Sequence, residues 1–104
     1  MYQQAMNELH TVRDFLRWSA SQFDRKEIFY GHGTDNAWDE AVALVSQILH
    51  LPQGVDAVIL DARLTLQEKN ELITALKKRI EDRVPTPYIT GKSWFCNMPF
   101  IVSP

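Results

Sequence analysis

The chain holds few side chains able to do chemistry, and they are scattered. Gly31-His32-Gly33 stands ahead of a helix-like stretch. Glycines in that place let backbone amides approach a phosphate. The rest of the pattern is missing: the third glycine position is Asn36, and no convincing buried strand precedes the loop. Asp35, Asp39 and Glu40 would also repel an anion. His10, His32 and His50 lie far apart, without the paired spacing of a metal site. Cys96 is the single cysteine and has neither a zinc partner nor the local context of a nucleophile. Its simplest role is that of a small apolar residue. Lys77, Lys78, Arg79, Arg83 and Lys92 lie near Trp94 and Phe95, but no nucleic-acid readout motif accompanies them. Their charge suits the end of a helix. The residues alone therefore show no catalytic, cofactor-binding or metal constellation, and they point to binding rather than catalysis.

Helices must carry these residues. Met6, Leu9, Val12, Leu16, Ala20 and Phe23 recur at three and four, which predicts one helix over 3–23. Trp18 falls off that stripe, where it packs on a neighbour or lies at an edge. Asp24 and Glu27 are spaced to add one more turn. Residues 30–36, with two glycines and an Asx pair, read as a loop whose Asp35 or Asn36 caps a second helix over about 36–50. Trp38, Ala41, Val42, Val45, Ile48 and Leu49 give that helix its apolar face, which makes Trp38 a core residue. Asp39 and Glu40 sit in its first turn and His50 in its last, and Pro52 and Gly54 stop it. Residues 55–62 read as a short helix capped by Asp56, or else a short strand. Thr65 and Glu68 form a Thr-x-x-Glu capping box, worth roughly 1 kcal/mol. The helix it opens has Leu72, Ile73, Leu76, Ile80 and Val84 as its stripe, and Pro85 closes it.

From Arg83 to Val102 the helical period stops. Pro85 and Pro87 lack amide donors, and the aromatic and β-branched residues that follow favour strands. The expectation is an irregular β-hairpin containing Tyr88, Trp94, Phe95 and Phe100. The predicted fold is mainly α, a small bundle of about four helices ending in that hairpin, with a helical domain at 1–84 and a linker at 85–104. A chain that stops just after a strand looks cut from something longer.

One hundred and four residues, 45% apolar and 23% charged, suit one domain. A lone cysteine favours a reducing compartment, so a cytoplasmic location is expected. No signal peptide and no apolar run of membrane-spanning length is present. Charge is uneven: residues 1–62 hold four Lys/Arg against nine Asp/Glu, a net −5, and residues 63–104 hold seven against four, a net +3.

Arg83, Pro85, Tyr88, Ile89, Gly91, Phe95, Phe100 and Val102 match a wider pattern. It is approximately Arg-x-Pro-x-x-Tyr-(Leu/Ile)-x-Gly, then Phe, then Phe-x-Val. With it the chain resembles the HemK-type protein-glutamine methyltransferases, in which a helical N-terminal domain joins a Rossmann-like catalytic domain through a hairpin. LRWSASQF at 16–23, YGHGTDNAWDEAV at 30–42, ARLT at 62–65 and KSWFC at 92–96 resemble the PrmB branch. That branch methylates a glutamine side-chain amide in the third protein of the large ribosomal subunit. The resemblance covers essentially the whole chain. Asn97 departs from the glycine more usual in the family, and asparagine tolerates the same left-handed turn.

Two family motifs have no counterpart: the glycine-rich motif that binds S-adenosylmethionine and the Asn-Pro-Pro-Tyr motif that holds the glutamine amide. The resemblance thus implies that the parent enzyme uses S-adenosylmethionine, whereas this chain is expected neither to bind it nor to transfer methyl. The implied role is substrate recognition. The implied partners are a large-subunit ribosomal protein and the enzyme's own catalytic domain, with no membrane and no direct nucleic acid. Tyr30, His32, Asp35, Asp39 and Glu40 are the expected contact residues, because loops on a rigid scaffold often carry function. Tyr88, Trp94, Phe95 and Phe100 are expected to pack between domains. The alternative role is structural: bracing the catalytic domain, or self-association.

Overall fold

The computed structural model describes residues 1–30, 34–52 and 57–90, and the backbone of 92–95 and 98–101. Five α-helices and one 3-10 turn appear in order: α1 (Tyr2–Glu8), α2 (Val12–Arg25), α3 (Ala37–Ile48), the turn at Ala57–Asp61, α4 (Leu66–Ile80) and α5 (Thr86–Thr90). The domain is mainly α, as expected, but with more helices than the four anticipated.

The first extra helix comes from a break. Residues 3–23 do not form one rod: Leu9 is extended, and Thr11 caps a new helix. The Thr11 side chain accepts from the Asp14 amide at 3.1 Å while the Asp14 carboxylate accepts from the amides of His10 and Thr11 at 2.9 and 3.1 Å. That reciprocal box satisfies amides that a continuous helix would have bonded internally. Residues 62–64 hold the break open. Val12 donates to the Ala62 carbonyl at 3.2 Å, Leu64 donates to that of His10 at 2.9 Å, and the Lys69 ammonium donates to that of Leu9 at 3.1 Å. An unbroken apolar stripe therefore concealed a corner fixed from outside the helix.

The core lies between α2, α3 and α4. Phe15, Leu16 and Phe23 of α2 meet Ala41, Leu44 and Val45 of α3 and Leu72, Leu76 and Ile80 of α4, all buried. Burial of each large side chain contributes about 1.5–3 kcal/mol. The capping box at Thr65 and Glu68 is present, with bonds of 3.1 and 2.8 Å. Asn36, rather than Asp35, caps α3 by accepting from the Asp39 amide at 2.8 Å. Residues 57–61 are helical in the 3-10 sense rather than a strand, and Asp56, the expected cap, lies outside the described residues.

Three helices are followed by a left-handed residue that is not glycine; after α4 it is Arg83, at φ 58°, and after α2 and α3 it closes the helix directly. After α2, Glu27 takes φ 51° while its amide and that of Ile28 donate to Asp24 and Phe23. After α3, His50 takes φ 58° while its amide and that of Leu51 donate to Gln47 and Ser46. Both are Schellman closures, in which the chain reverses and its first apolar residue packs back on the helix. The extra turn expected at Asp24–Glu27 is therefore a stop, and α3 ends before Pro52 rather than because of it.

The second extra helix is α5. Tyr88, Ile89 and Thr90, expected to be extended, are helical. Pro87 falls in the first turn, where a missing amide costs nothing, and Tyr88 and Ile89 donate to the Pro85 carbonyl at 3.0 and 3.3 Å. Among residues 1–90 no hairpin occurs; the nearest feature is the single antiparallel bridge between Thr11 and Arg63. Beyond them the backbone of β1 (Lys92–Phe95) runs antiparallel to that of β2 (Met98–Ile101), with Trp94 opposite Pro99. The side chains of Trp94, Phe95 and Phe100, expected to pack between domains, lie outside the described residues.

Candidate functional site

Glu40 and Arg79 organise the end of the domain that carries the expected contact loop. They come from α3 and α4, and both are buried, at 4% and 3% exposure. The Arg79 Nε donates to the Glu40 Oε2 at 2.8 Å. Thr86 of α5 donates to the same oxygen at 2.5 Å, and Thr34 donates to the other oxygen. The Arg79 Nη2 reaches past this pair to the Phe29 carbonyl. Burial pushes the Glu40 carboxyl upward, but the bonds from Thr34, Thr86 and Arg79 outweigh it, so its pKa is lowered and the group is charged. One buried ion pair thus ties both ends of the loop, at Phe29 and Thr34, to three helices. Arg83 adds a long contact of 3.5 Å to the Glu27 carbonyl.

This clamp sorts the expected contact residues. Glu40 faces the interior, so it positions the loop and is not a surface contact. Tyr30 is partly buried, and its hydroxyl has no hydrogen-bond partner among the described residues. Burial, with the charges of Asp24 and Glu40, pushes that phenol upward. His32 lies outside the described residues. Asp35 and Asp39 are exposed, and the Asn36 amide bonds both carboxylates, at 2.8 and 2.9 Å.

Two aromatic residues that sequence patterning left off this edge belong to it. Trp38 is 50% exposed rather than part of the core, and Phe29 is 76% exposed. The buried face of α3 centres on Ala37, Ala41, Leu44 and Glu40, rotated away from the apolar stripe that included Trp38 and Val42. Bringing a charged Glu40 inside turns the helix, and Trp38 moves to the rim. Hydrophobic periodicity carries no signal for that rotation, since it scores Glu40 as solvent-facing.

The basic run resolves into separate roles. Arg79 is in the clamp, and the Lys77 ammonium lies 5.2 Å from the centre of the Tyr2 ring. Tyr2 meets Trp18 edge-on, with ring centres 6.2 Å apart, and donates to Glu81 at 2.8 Å. A cleft of about 420 Å³ opens between α3, α4 and α5, lined by Ile48, Thr74, Ala75, Lys78 and Ile89 among others. Among the described residues, no group of three or more His, Cys, Asp or Glu side chains is placed to hold a metal, and no helix is long and apolar enough to cross a membrane.

No family model matches the chain, and no solved structure matches it. Curated proteins do. The ribosomal protein uL3 glutamine methyltransferases of Neisseria meningitidis serogroup A and of Neisseria gonorrhoeae are each 42% identical to it over 102 residues. The chain is homologous to the N-terminal part of these enzymes. The match takes in 98% of this chain and 34% of each relative, so the chain spans about a third of their length. Its matching portion includes both the clamp and the exposed edge, because only two residues of the chain can fall outside it.

Proposed function

We propose that this chain is the substrate-recognition domain of an S-adenosylmethionine-dependent methyltransferase that modifies a glutamine side-chain amide of ribosomal protein uL3. The homology carries the reading: 42% identity across nearly the whole chain to enzymes named for that activity. Methyl transfer is assigned to polypeptide beyond these residues, joined through 85–104.

Transfer to an unreactive amide needs the target loop held close to the donor, and a rigid second body supplies that positioning. The clamp holds Phe29 and Thr34, on either side of the proposed contact loop, to three helices. Asp35 and Asp39, with Tyr30 and His32, are the proposed contacts, and Tyr88, Trp94, Phe95 and Phe100 are the proposed packing between domains. The acidic front half complements a basic partner.

Titration of the 104-residue chain with uL3, followed through amide chemical shifts, tests the reading. Shifts confined to 29–40 support it. Shifts only at 85–101, or no binding together with full activity of an enzyme lacking the helical domain, would assign the domain to bracing instead.

A further inference from the structure

We infer that the exposed aromatic edge at Phe29 and Trp38 is a docking surface for an arginine-bearing segment of a protein partner, with Trp38 as the platform and Asp35 and Asp39 as the counter-charges. The inference rests on the recognition role proposed above and names the chemistry it reads. Large aromatic side chains left this open are costly on a small domain, and clusters of them mark contact surfaces. The clamp joins the backbone segments that carry Phe29 and Trp38. The Arg79 guanidinium bonds both the Phe29 carbonyl and the Glu40 carboxylate, and Trp38 lies two residues before Glu40 in the same helix.

Charge decides the occupant. The Asn36 Nδ2 holds the Asp35 and Asp39 carboxylates at 2.8 and 2.9 Å, which brings them within roughly 6 Å of each other by ordinary hydrogen-bond lengths. Neither is paired with a cation among the described residues, whose ion pairs are Arg13–Asp61 and Arg79–Glu40. Two fixed carboxylates and an exposed indole within the first turn of one helix and its lead-in suit a planar guanidinium, which bonds carboxylates through several N–H groups and stacks on aromatic faces. The same carboxylates disfavour a nucleic-acid backbone.

The test uses the whole 104-residue chain and a short labelled peptide with two arginines in a glycine-serine background. A matched peptide carries citrulline, which keeps the shape and removes the charge. The arginine peptide is expected to shift the Trp38 indole N–H and the Asp35 and Asp39 amides, and the citrulline peptide to bind at least about fivefold more weakly. Trp38→Ala and the double variant D35N/D39N, both at exposed positions, are each expected to weaken the arginine peptide about fivefold while leaving the circular dichroism unchanged. Equal binding of the two peptides, or shifts away from 29–39, would overturn the inference. A parallel titration with uL3 separates it from the recognition role. If uL3 binds the wild type and both variants alike, the arginine seat is wrong and the recognition role stands. If uL3 binds none of them, the recognition role falls, and the peptides still decide the seat.

Discussion

The two ends of the domain solve one problem in opposite ways. Each must hold an irregular connection between helices. At the α1–α2 corner, the local Thr11–Asp14 box is joined by backbone bonds with Ala62 and Leu64 and by the Lys69 ammonium, 60 positions from the Leu9 carbonyl it bonds. At the 29–34 loop, the holding group is a buried ion pair joining residues 39 apart in sequence, helped by a threonine 46 positions from Glu40. The first device is cheap, exposed and tolerant. The second removes two charges from water and stands only while every partner is in place. An edge that presents side chains to another protein gains from the second kind, since it fixes position rather than only joining helices.

The comparison breaks most easily at Arg79. Arg79→Met leaves a buried carboxylate without its cation and is expected to cost about 3–5 kcal/mol in urea unfolding. Replacing both members, as in E40L/R79M, should recover much of that loss. A single-variant cost below about 1 kcal/mol would show that the loop is not held by this pair. Thr11→Ala removes only a cap and is expected to cost about 1 kcal/mol, with faster amide exchange confined to the α1–α2 corner.

Acid sharpens the contrast. The amide of His10, with those of Thr11, lowers the Asp14 carboxyl below its ordinary value of 3.8, and hydrogen bonds lower that of Glu40 below 4.5. Both folded values lie beneath the unfolded ones. Their stabilisation is therefore complete above those ordinary values and fades as pH falls through the lowered ones. Asp14→Asn should flatten the acid limb of the stability curve by a fraction of the wild-type slope. The smallest effect is expected at the Arg13–Asp61 pair, whose side chains are 56% and 70% exposed. Arg13→Ala should change stability by less than about 0.5 kcal/mol, and salt should erase the difference.

What could be read in advance divides along the same line. The Thr65 box and the α4 stripe from Leu72 to Ile80 follow from residues within a turn of each other and were legible, whereas the cap of α3 was left between Asp35 and Asn36 and α4 stops at Ile80, short of the Val84 and Pro85 expected to end it. The Thr11 box has the same local form, yet the run from Met6 to Phe23 is so regular that it masked a corner held by residues 62–64. Helix α5 was hidden by two prolines that ordinarily forbid helix but are harmless in a first turn. The burial of Glu40 lies beyond any local rule: only the arrival of Arg79 and Thr86 from distant segments makes a charged residue an interior one. With it went the placement of Trp38, and so the composition of the proposed contact edge.

The left-handed closure at Glu27 has a bearing on engineering. It turns the chain sharply off α2 and seats Ile28 in the core, while Asn36 restarts the helix on the far side. The segment between them is launched and received by fixed anchors, and it supplies one of them itself, the Thr34 hydroxyl on Glu40. Exchanging residues 30–35 among relatives while keeping Thr34 should therefore yield chimeras that keep the parent melting behaviour, whereas an exchange that also replaces Thr34 should lower it.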